Sequence, residues 1–260
     1  MILQNVSDLN TKVEKIISLV PSQTELLFDL GLNEQVIGIT KFCIHPNKWF
    51  TTKTRIGGTK NVNMEAVKAL QPHLIIANKE ENVKEQIEEL AKEFNVWVTD
   101  VNTFDDAMQI IEDIGHLTST TTKANHLTQK IKTAFKNIKQ LEKPINTCYL
   151  IWQNPYMTIG GDTFIHDMLQ KCSFNNIFAN QSRYPEISIN QLQTANCQLL
   201  LLSSEPYPFK QKHIDELQQQ LPNTKILLVD GEMFSWYGSR LLHAPKYFNE
   251  MIIDLQPFLH

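Results

Sequence analysis

Nowhere do the 260 residues hold a run of roughly 18–20 apolar side chains, the length a helix needs to cross a bilayer, so no membrane-spanning helix is expected. A basic surplus is lacking too. Lys and Arg number 24 against 28 Asp and Glu, a formal net charge of −4, which leaves nothing to neutralise a phosphate backbone and argues against a nucleic-acid partner. The first ten residues are polar, with acidic Asp8, and lack the basic and apolar segments of an export signal, so a cytoplasmic location is open. Cysteine is scarce. Cys43, Cys148, Cys172 and Cys197 lie far apart and never form C-x-x-C, so a zinc site is not expected and the thiols read as buried. Nucleophile-elbow, P-loop, dinucleotide-binding and H-E-x-x-H signatures are all missing, so no catalytic residue is assigned. The histidines are scattered: His45 alone falls in a candidate binding loop, while His73, His126 and His213 read as helix or turn surface, and no metal ligand set is expected.

What is present is the composition of a soluble globular protein, 42% apolar and 20% charged, long enough for one large domain or for two of roughly 100–150 residues. Short apolar runs at 15–20, 36–40, 74–77, 96–99, 147–152, 199–202 and 226–229 read as buried strands. Amphipathic stretches at 83–94, 104–114, 164–171 and 214–221 read as helices. Strands alternating with helices predict mainly parallel sheets covered on both faces, hence an α/β fold. Residues 64–80 lie beside 189–205 without a gap, each copy a helix, a turn, an apolar strand and a polar loop whose third residue is Glu (Glu80, Glu205). Either a duplication or chance likeness between generic α/β segments accounts for this; the order of elements favours duplication. Between the copies, residues 119–141 carry apolar positions at helical spacing, which predicts one bridging helix of about 30 Å. The expected organisation is an N-terminal lobe over 1–118, a bridging helix over 119–142 and a C-terminal lobe over 143–260.

In open parallel sheets ligands bind beyond the carboxyl ends of the strands. The loops there are rich in aromatic and polar residues. Pro21-Ser22-Gln23-Thr24-Glu25 looks like a helix start with exposed amides. The ligand-binding candidates are Phe42, Trp49, Lys79, Glu80, Trp152, Tyr156, Arg183, Glu205, Tyr207, Phe234, Trp236, Tyr237 and Arg240. Flat rings in polar loops suit a bulky or planar ligand, and binding is expected to depend most on Trp236, Tyr207 and Arg240. Competing structural roles stand beside these. Trp49 caps its own lobe or touches the ligand; Arg240 pairs with Asp230 or Glu232 or holds an anion; Lys79 is a ligand contact or a solvated charge; Trp97 is core.

Three sets of residues together resemble the helical-backbone metal receptors, the substrate-binding proteins of cobalamin and ferric-siderophore ABC importers. They are Ile16-Ile-Ser-Leu-Val-Pro-Ser-Gln-Thr-Glu-Leu-Leu27; Gly57-Gly58-Thr59 leading to Met64-Glu65-Ala66-Val67; and Leu70-Gln-Pro-His-Leu-Ile-Ile-Ala77. The ending Asp230-Gly-Glu-Met-Phe-Ser-Trp-Tyr-Gly-Ser-Arg-Leu-Leu242 is similar to a branch of that family without an evident signal peptide. The resemblance implies two three-layer α/β/α lobes joined by one long helix, and a metal chelate bound between them as cargo rather than cofactor. It further implies a permease/ATPase partner, a periplasmic location and a monomer. It also implies a surface Glu on each lobe for docking to the permease. Glu65 matches in the first lobe; Asn190 stands at the second position, with Glu186 close by. Asn78 stands where the family places an aromatic lining the cobalamin pocket. Two alternatives remain: a cytoplasmic corrinoid- or chelate-binding sensor on the same scaffold, and an enzyme using Glu80 and Glu205 as acid and base.

Overall fold

Each apolar run becomes a strand, the central ones buried on both faces, and most are followed by a polar segment that turns back as a helix. The structure, a computed structural model, describes residues 1–9 and 11–258. The elements of the first half are β1 (Ile16–Ser18), α1 (Pro21–Asp29), β2 (Val36–Ile39), α2 (Asn47–Thr52), β3 (Thr54–Arg55), α3 (Met64–Leu70), β4 (Leu74–Asn78), α4 (Lys84–Ala91), β5 (Val96–Thr99), α5 (Phe104–Leu117) and α6 (Thr121–Phe135). The second half contains β6 (Ile145–Leu150), β7 (Tyr156–Met157), α7 (Phe164–Lys171), β8 (Phe174–Asn176), β9 (Glu186–Ile187), α8 (Ile189–Thr194), β10 (Leu199–Ser203), α9 (Gln211–Gln220), β11 (Lys225–Val229), α10 (Gly231–Ser235) and α11 (Ala244–Leu255).

The chain divides into two compact units. The first comprises Met1–Val101, Asp105–Ile131 and the short return Tyr237–Arg240; the second comprises Asn102–Phe104, Lys132–Trp236 and the segment from Leu241 onward. In the first, five strands pair in parallel in the order β3-β2-β1-β4-β5. Every residue of β4 is buried, as expected of a central strand covered on both sides. Ile17, Ile75 and Ala77 pack with Val67 of α3 and with Ile87 and Leu90 of α4. The alternate residues Ile16, Leu74 and Ile76 are fully buried as well, as a period of two demands when helices cover the other face. In the second unit β11-β10-β6-β8 pair in parallel, and a small antiparallel ribbon joins β7 to β9. Its core joins Cys148, Leu150, Leu200 and Leu202 from the sheet to Leu192 of α8 and Leu217 of α9.

The two sheets share one topology. The order β2-β1-β4-β5 corresponds to β8-β6-β10-β11, and the gapless alignment of 64–80 with 189–205 lays β4 directly on β10, Asn78 falling on Ser203. The short strands β3, β7, β8 and β9 had no signal in the apolar runs. Trp97, expected in the core, is only half-buried.

The bridging segment departs from the single helix expected over 119–141. Helix α6 covers only Thr121–Phe135, about 22 Å at 1.5 Å per residue. Ser119 has a positive φ of 58°, which separates α6 from α5. The far end is set by tertiary contact. Asn249 of α11 accepts from the Lys139 amide at 2.7 Å and donates to the Asn137 carbonyl at 3.1 Å, partners a continuing helix would have used internally. The division between the two units falls inside this helix, between Ile131 and Lys132.

Candidate functional site

In the first unit the carboxyl ends of the strands close over a buried polar network. Asn78, 2% exposed, ends β4 and donates to the Thr99 carbonyl at 3.0 Å and the Thr99 hydroxyl at 3.2 Å. Its Oδ1 accepts from the amides of Glu80 and Glu81 at 2.8 and 3.1 Å, so one side chain shapes the whole following turn. Gln23 donates to Thr99 Oγ1 at 2.6 Å, and Thr24 Oγ1 bonds the Val20 carbonyl at 2.9 Å. Ser22, Gln23 and Thr24 are thus buried, which corrects the expectation of an exposed anion-binding helix start. The mismatch at residue 78 has the same cause: the position is turned inward, serving the loop's own hydrogen bonds.

Several candidate residues prove structural. Trp49 is fully buried, edge-on to Phe28 at 5.3 Å, its indole N–H donating to Asn33 at 2.7 Å, so it caps its own lobe. Arg240 makes a bidentate pair with Glu25, Nε and Nη2 donating at 2.9 and 2.7 Å. Burial raises the Glu25 carboxyl above its ordinary value despite the opposing pull of Arg240. Tyr237 is buried, and burial raises its phenol, opposed by the nearby polar side chains of Gln23, Ser22 and Thr99. Gly238, at a φ of +113°, lets this return segment pass Ser22 and Leu26 closely enough that a Cβ would sit 3.3 Å from each. Lys79 is exposed and paired with Asp100 at 2.6 Å, a solvated surface contact. The strand-end loops of this unit also expose two apolar side chains: Phe42, with the Lys41 ammonium 5.1 Å from its ring centre, and Ile44. Glu80 is half-buried, its carbonyl held by Lys60 at 2.5 Å.

The second unit builds its strand ends from rings. Trp152, directly after β6, is 40% exposed and stands edge-on to Tyr207 at 5.6 Å. Tyr207, on the loop after β10, packs against Phe209 at 4.8 Å and His213 at 5.5 Å, and its hydroxyl donates to Gln153 at 2.8 Å. Tyr156 is half-buried in β7, its hydroxyl 3.5 Å from the Gln153 amide nitrogen. Glu205 is largely buried, and burial raises its carboxyl, opposed by hydrogen bonds from Ser235 at 2.8 Å and from the Trp236 indole at 2.9 Å, both to Oε1. Trp236 is accordingly a buried anchor, only 7% exposed, and not an open face. Phe234 is fully buried among Tyr149, Tyr247 and Phe248, which removes it from the binding set. Gly231 lets α10 start against the β10 loop: a Cβ there would meet Ser203 Oγ at 2.5 Å and Glu205 Cγ at 2.6 Å. Arg183 is exposed, its own amide donating to Asp162 at 2.6 Å and its guanidinium reaching Asn102 at 3.3 Å.

Two groups escaped sequence reasoning. His213, read as surface, is 3% exposed. The Glu25–Arg240 pair spans 215 positions and has no local signal. The Asn78 turn was detectable in principle, since Asn at a strand end followed by an amide-rich loop is a turn signature. All four thiols are buried and raised, Cys197 to about 12, so none is a reactive thiolate. Among the described residues no group of three or more His, Cys, Asp or Glu could hold a metal ion, and no helix is long and apolar enough to cross a membrane.

Two parallel sheets of one topology, with aromatic loops at their strand ends, meet a sequence match that decides the family: residues 16–225 fit the periplasmic binding protein model. The chain belongs to the periplasmic binding protein family. Among its relatives, the vitamin B12-binding protein of Vibrio parahaemolyticus is 26% identical over 75% of this chain and 72% of its own length. An uncharacterised ABC transporter substrate-binding lipoprotein of Bacillus subtilis, YvrC, is 26% identical over 92% of this chain and 80% of its own. Solved periplasmic binding proteins share the fold. The vitamin B12-binding protein BtuF of Vibrio cholerae superposes with a TM-score of 0.76 at 22% identity, covering 94% of this chain and 98% of that one. The haem-binding protein HutB of the same organism superposes at 0.80 and 18% identity, covering 93% and 99%.

Proposed function

We propose that this chain is the substrate-binding component of an ABC importer and that its cargo is a metal chelate of the corrinoid, haem or ferric-siderophore class. Relatives in the family are named for vitamin B12 or haem, or as ABC transporter substrate-binding lipoproteins. The observation that carries the reading is the Trp152–Tyr207 pair on the strand-end loops of a periplasmic binding protein scaffold, an exposed ring braced from behind. Phe42 and Ile44 give the first unit's loops an exposed apolar surface of the same character. Large flat ligands with apolar faces bind such surfaces at low conformational cost. Tyr156 and Arg183 in the second unit and Glu80 in the first add polar groups to the candidate set. The protein binds without turnover: Glu205, the better-placed of the two candidate acid–base carboxylates, is occupied in anchoring Ser235 and Trp236. Glu65 in the first turn of α3, with Glu186 and Asn190 before and in α8, are exposed and serve as the permease-facing positions. Each rim contact contributes about 1 kcal/mol or less, so docking depends on several together. The site of action is outside the cytoplasmic membrane, as the periplasmic and lipoprotein names of the relatives suggest.

The test is titration of the purified protein with cyanocobalamin, cobinamide, haemin and a ferric hydroxamate, followed by tryptophan quenching. At least one binds tighter than about 100 μM, equivalent to roughly −5.5 kcal/mol, and Trp152→Ala weakens it about tenfold or more. Failure of all four above that limit removes the chelate reading.

A further inference from the structure

His213 is buried against Tyr207, and its two ring nitrogens have distinct tasks. The amide of Lys210 donates to Nδ1 at 2.8 Å, the reach-back bond that a third-position residue makes to the start of its helix. An accepting Nδ1 carries no proton, so the neutral ring holds its proton on Nε2. That nitrogen is 3.3 Å from the Tyr207 hydroxyl, which therefore accepts from His213 and passes its own proton toward Gln153 Oε1 at 2.8 Å. The bonds run in one direction: Lys210 amide to His213, His213 to Tyr207, Tyr207 to Gln153. The rings interlock beside them, His213 at 85° to Phe209 and 63° to Tyr207, with Tyr207 in turn edge-on to Trp152. His213 and Phe209 are buried while Trp152 is exposed, so order passes outward from the helix start to a tryptophan open to solvent.

We propose that His213 is a positioning residue for ligand binding, fixing through the Tyr207 hydroxyl the ring against which Trp152 stands. This rests on the chelate-binding reading for its consequence, though not for the relay itself. Without the Nε2 donor, Tyr207 is free to turn its hydroxyl, Gln153 loses a directed partner, and Trp152 loses a fixed backing.

The experiment uses the full chain labelled with 5-fluorotryptophan, whose four tryptophans (Trp49, Trp97, Trp152 and Trp236) give four fluorine resonances, that of Trp152 assigned by Trp152→Phe. His213→Gln keeps an acceptor for the Lys210 amide but not the ring; Tyr207→Phe keeps every ring and the helix start and removes only the hydroxyl. Both are expected to shift or broaden the Trp152 resonance while leaving the other three in place. Both are expected to weaken cobinamide about three- to tenfold, and the double variant no more than Tyr207→Phe alone. If the Trp152 resonance stays put in Tyr207→Phe, or moves only along with the other three, His213 is a packing residue and the proposal falls. If that resonance moves selectively while the unaltered protein binds none of the four chelates, the relay stands and the ligand reading fails.

Discussion

Replacing Asn78 by Ala tests whether the loop after β4 is held by one side chain. The substitution removes two bonds to Thr99 and two accepted from the amides of Glu80 and Glu81. The Thr99 carbonyl keeps the Lys79 amide at 2.9 Å, and Thr99 Oγ1 keeps Gln23 and the Ala77 carbonyl, so the inner side remains satisfied. The loss falls on the Glu80 and Glu81 amides, which are half-buried and find water only by opening the loop. At about 1 kcal/mol net for each of these bonds, with a small further cost for the volume removed, the expected destabilisation is about 2–3 kcal/mol. Asn78→Ser is expected to cost about half as much. Ser203 stands at the duplicated position, where its Oγ accepts from the Glu205 amide at 3.3 Å and donates to the Glu205 carbonyl at 2.6 Å, so a hydroxyl does part of the same task. Thermal melts read the effect as a fall of about 6–10 °C for Ala. Urea titration gives the free energies, and hydrogen exchange at residues 79–82 shows whether the loop is what opens. A loss below about 0.5 kcal/mol for Ala, or a Ser variant no better than Ala, refutes the reasoning.

Glu205→Gln keeps an acceptor for Ser235 and Trp236 but removes the charge. Burial raises this carboxyl in the folded protein, so the stability it contributes is complete below its unfolded value, about pH 4.3, and declines as pH rises through the raised folded value. Gln is therefore expected to be neutral at pH 4 and stabilising at pH 8, read from urea titrations at the two pH values; destabilisation at pH 8 would show the ionised form to be needed. Arg240→Ala strands the Glu25 carboxylate, whose side chain is 17% exposed, and is expected to cost about 3 kcal/mol in chemical denaturation. Arg240→Lys keeps the charge without the fork and is expected to recover only part of that; equal stability of Lys and wild type would count against the bidentate geometry.

The family resemblance was already carried by local residues, because the core pattern and the strand-ending motifs are contiguous in the chain. The seven apolar runs became β1, β2, β4, β5, β6, β10 and β11, and the gapless repeat laid one strand on its duplicate. Burial on both faces leaves an uninterrupted apolar stretch, which can be read without knowing its neighbours. The strand-end aromatics were legible only as a set. Trp49, Phe234 and Trp236 lie in loops or next to them, as do Trp152 and Tyr207. What separates a buried anchor from an exposed ring is the partner that covers it: Phe28 and Asn33 for Trp49, Glu205 for Trp236.

Sequence alone thus determined the seven strands of the apolar runs, their alternation with helices, the internal repeat and the family resemblance, all of which depend on periodicity and short motifs. Tertiary structure decided where α6 stops, which carboxylate Arg240 meets, that Asn78 turns inward and that His213 lies buried against Tyr207. Each of these depends on a contact between residues distant in sequence or on which face of a loop is covered. Spacing along the chain carries no information about either.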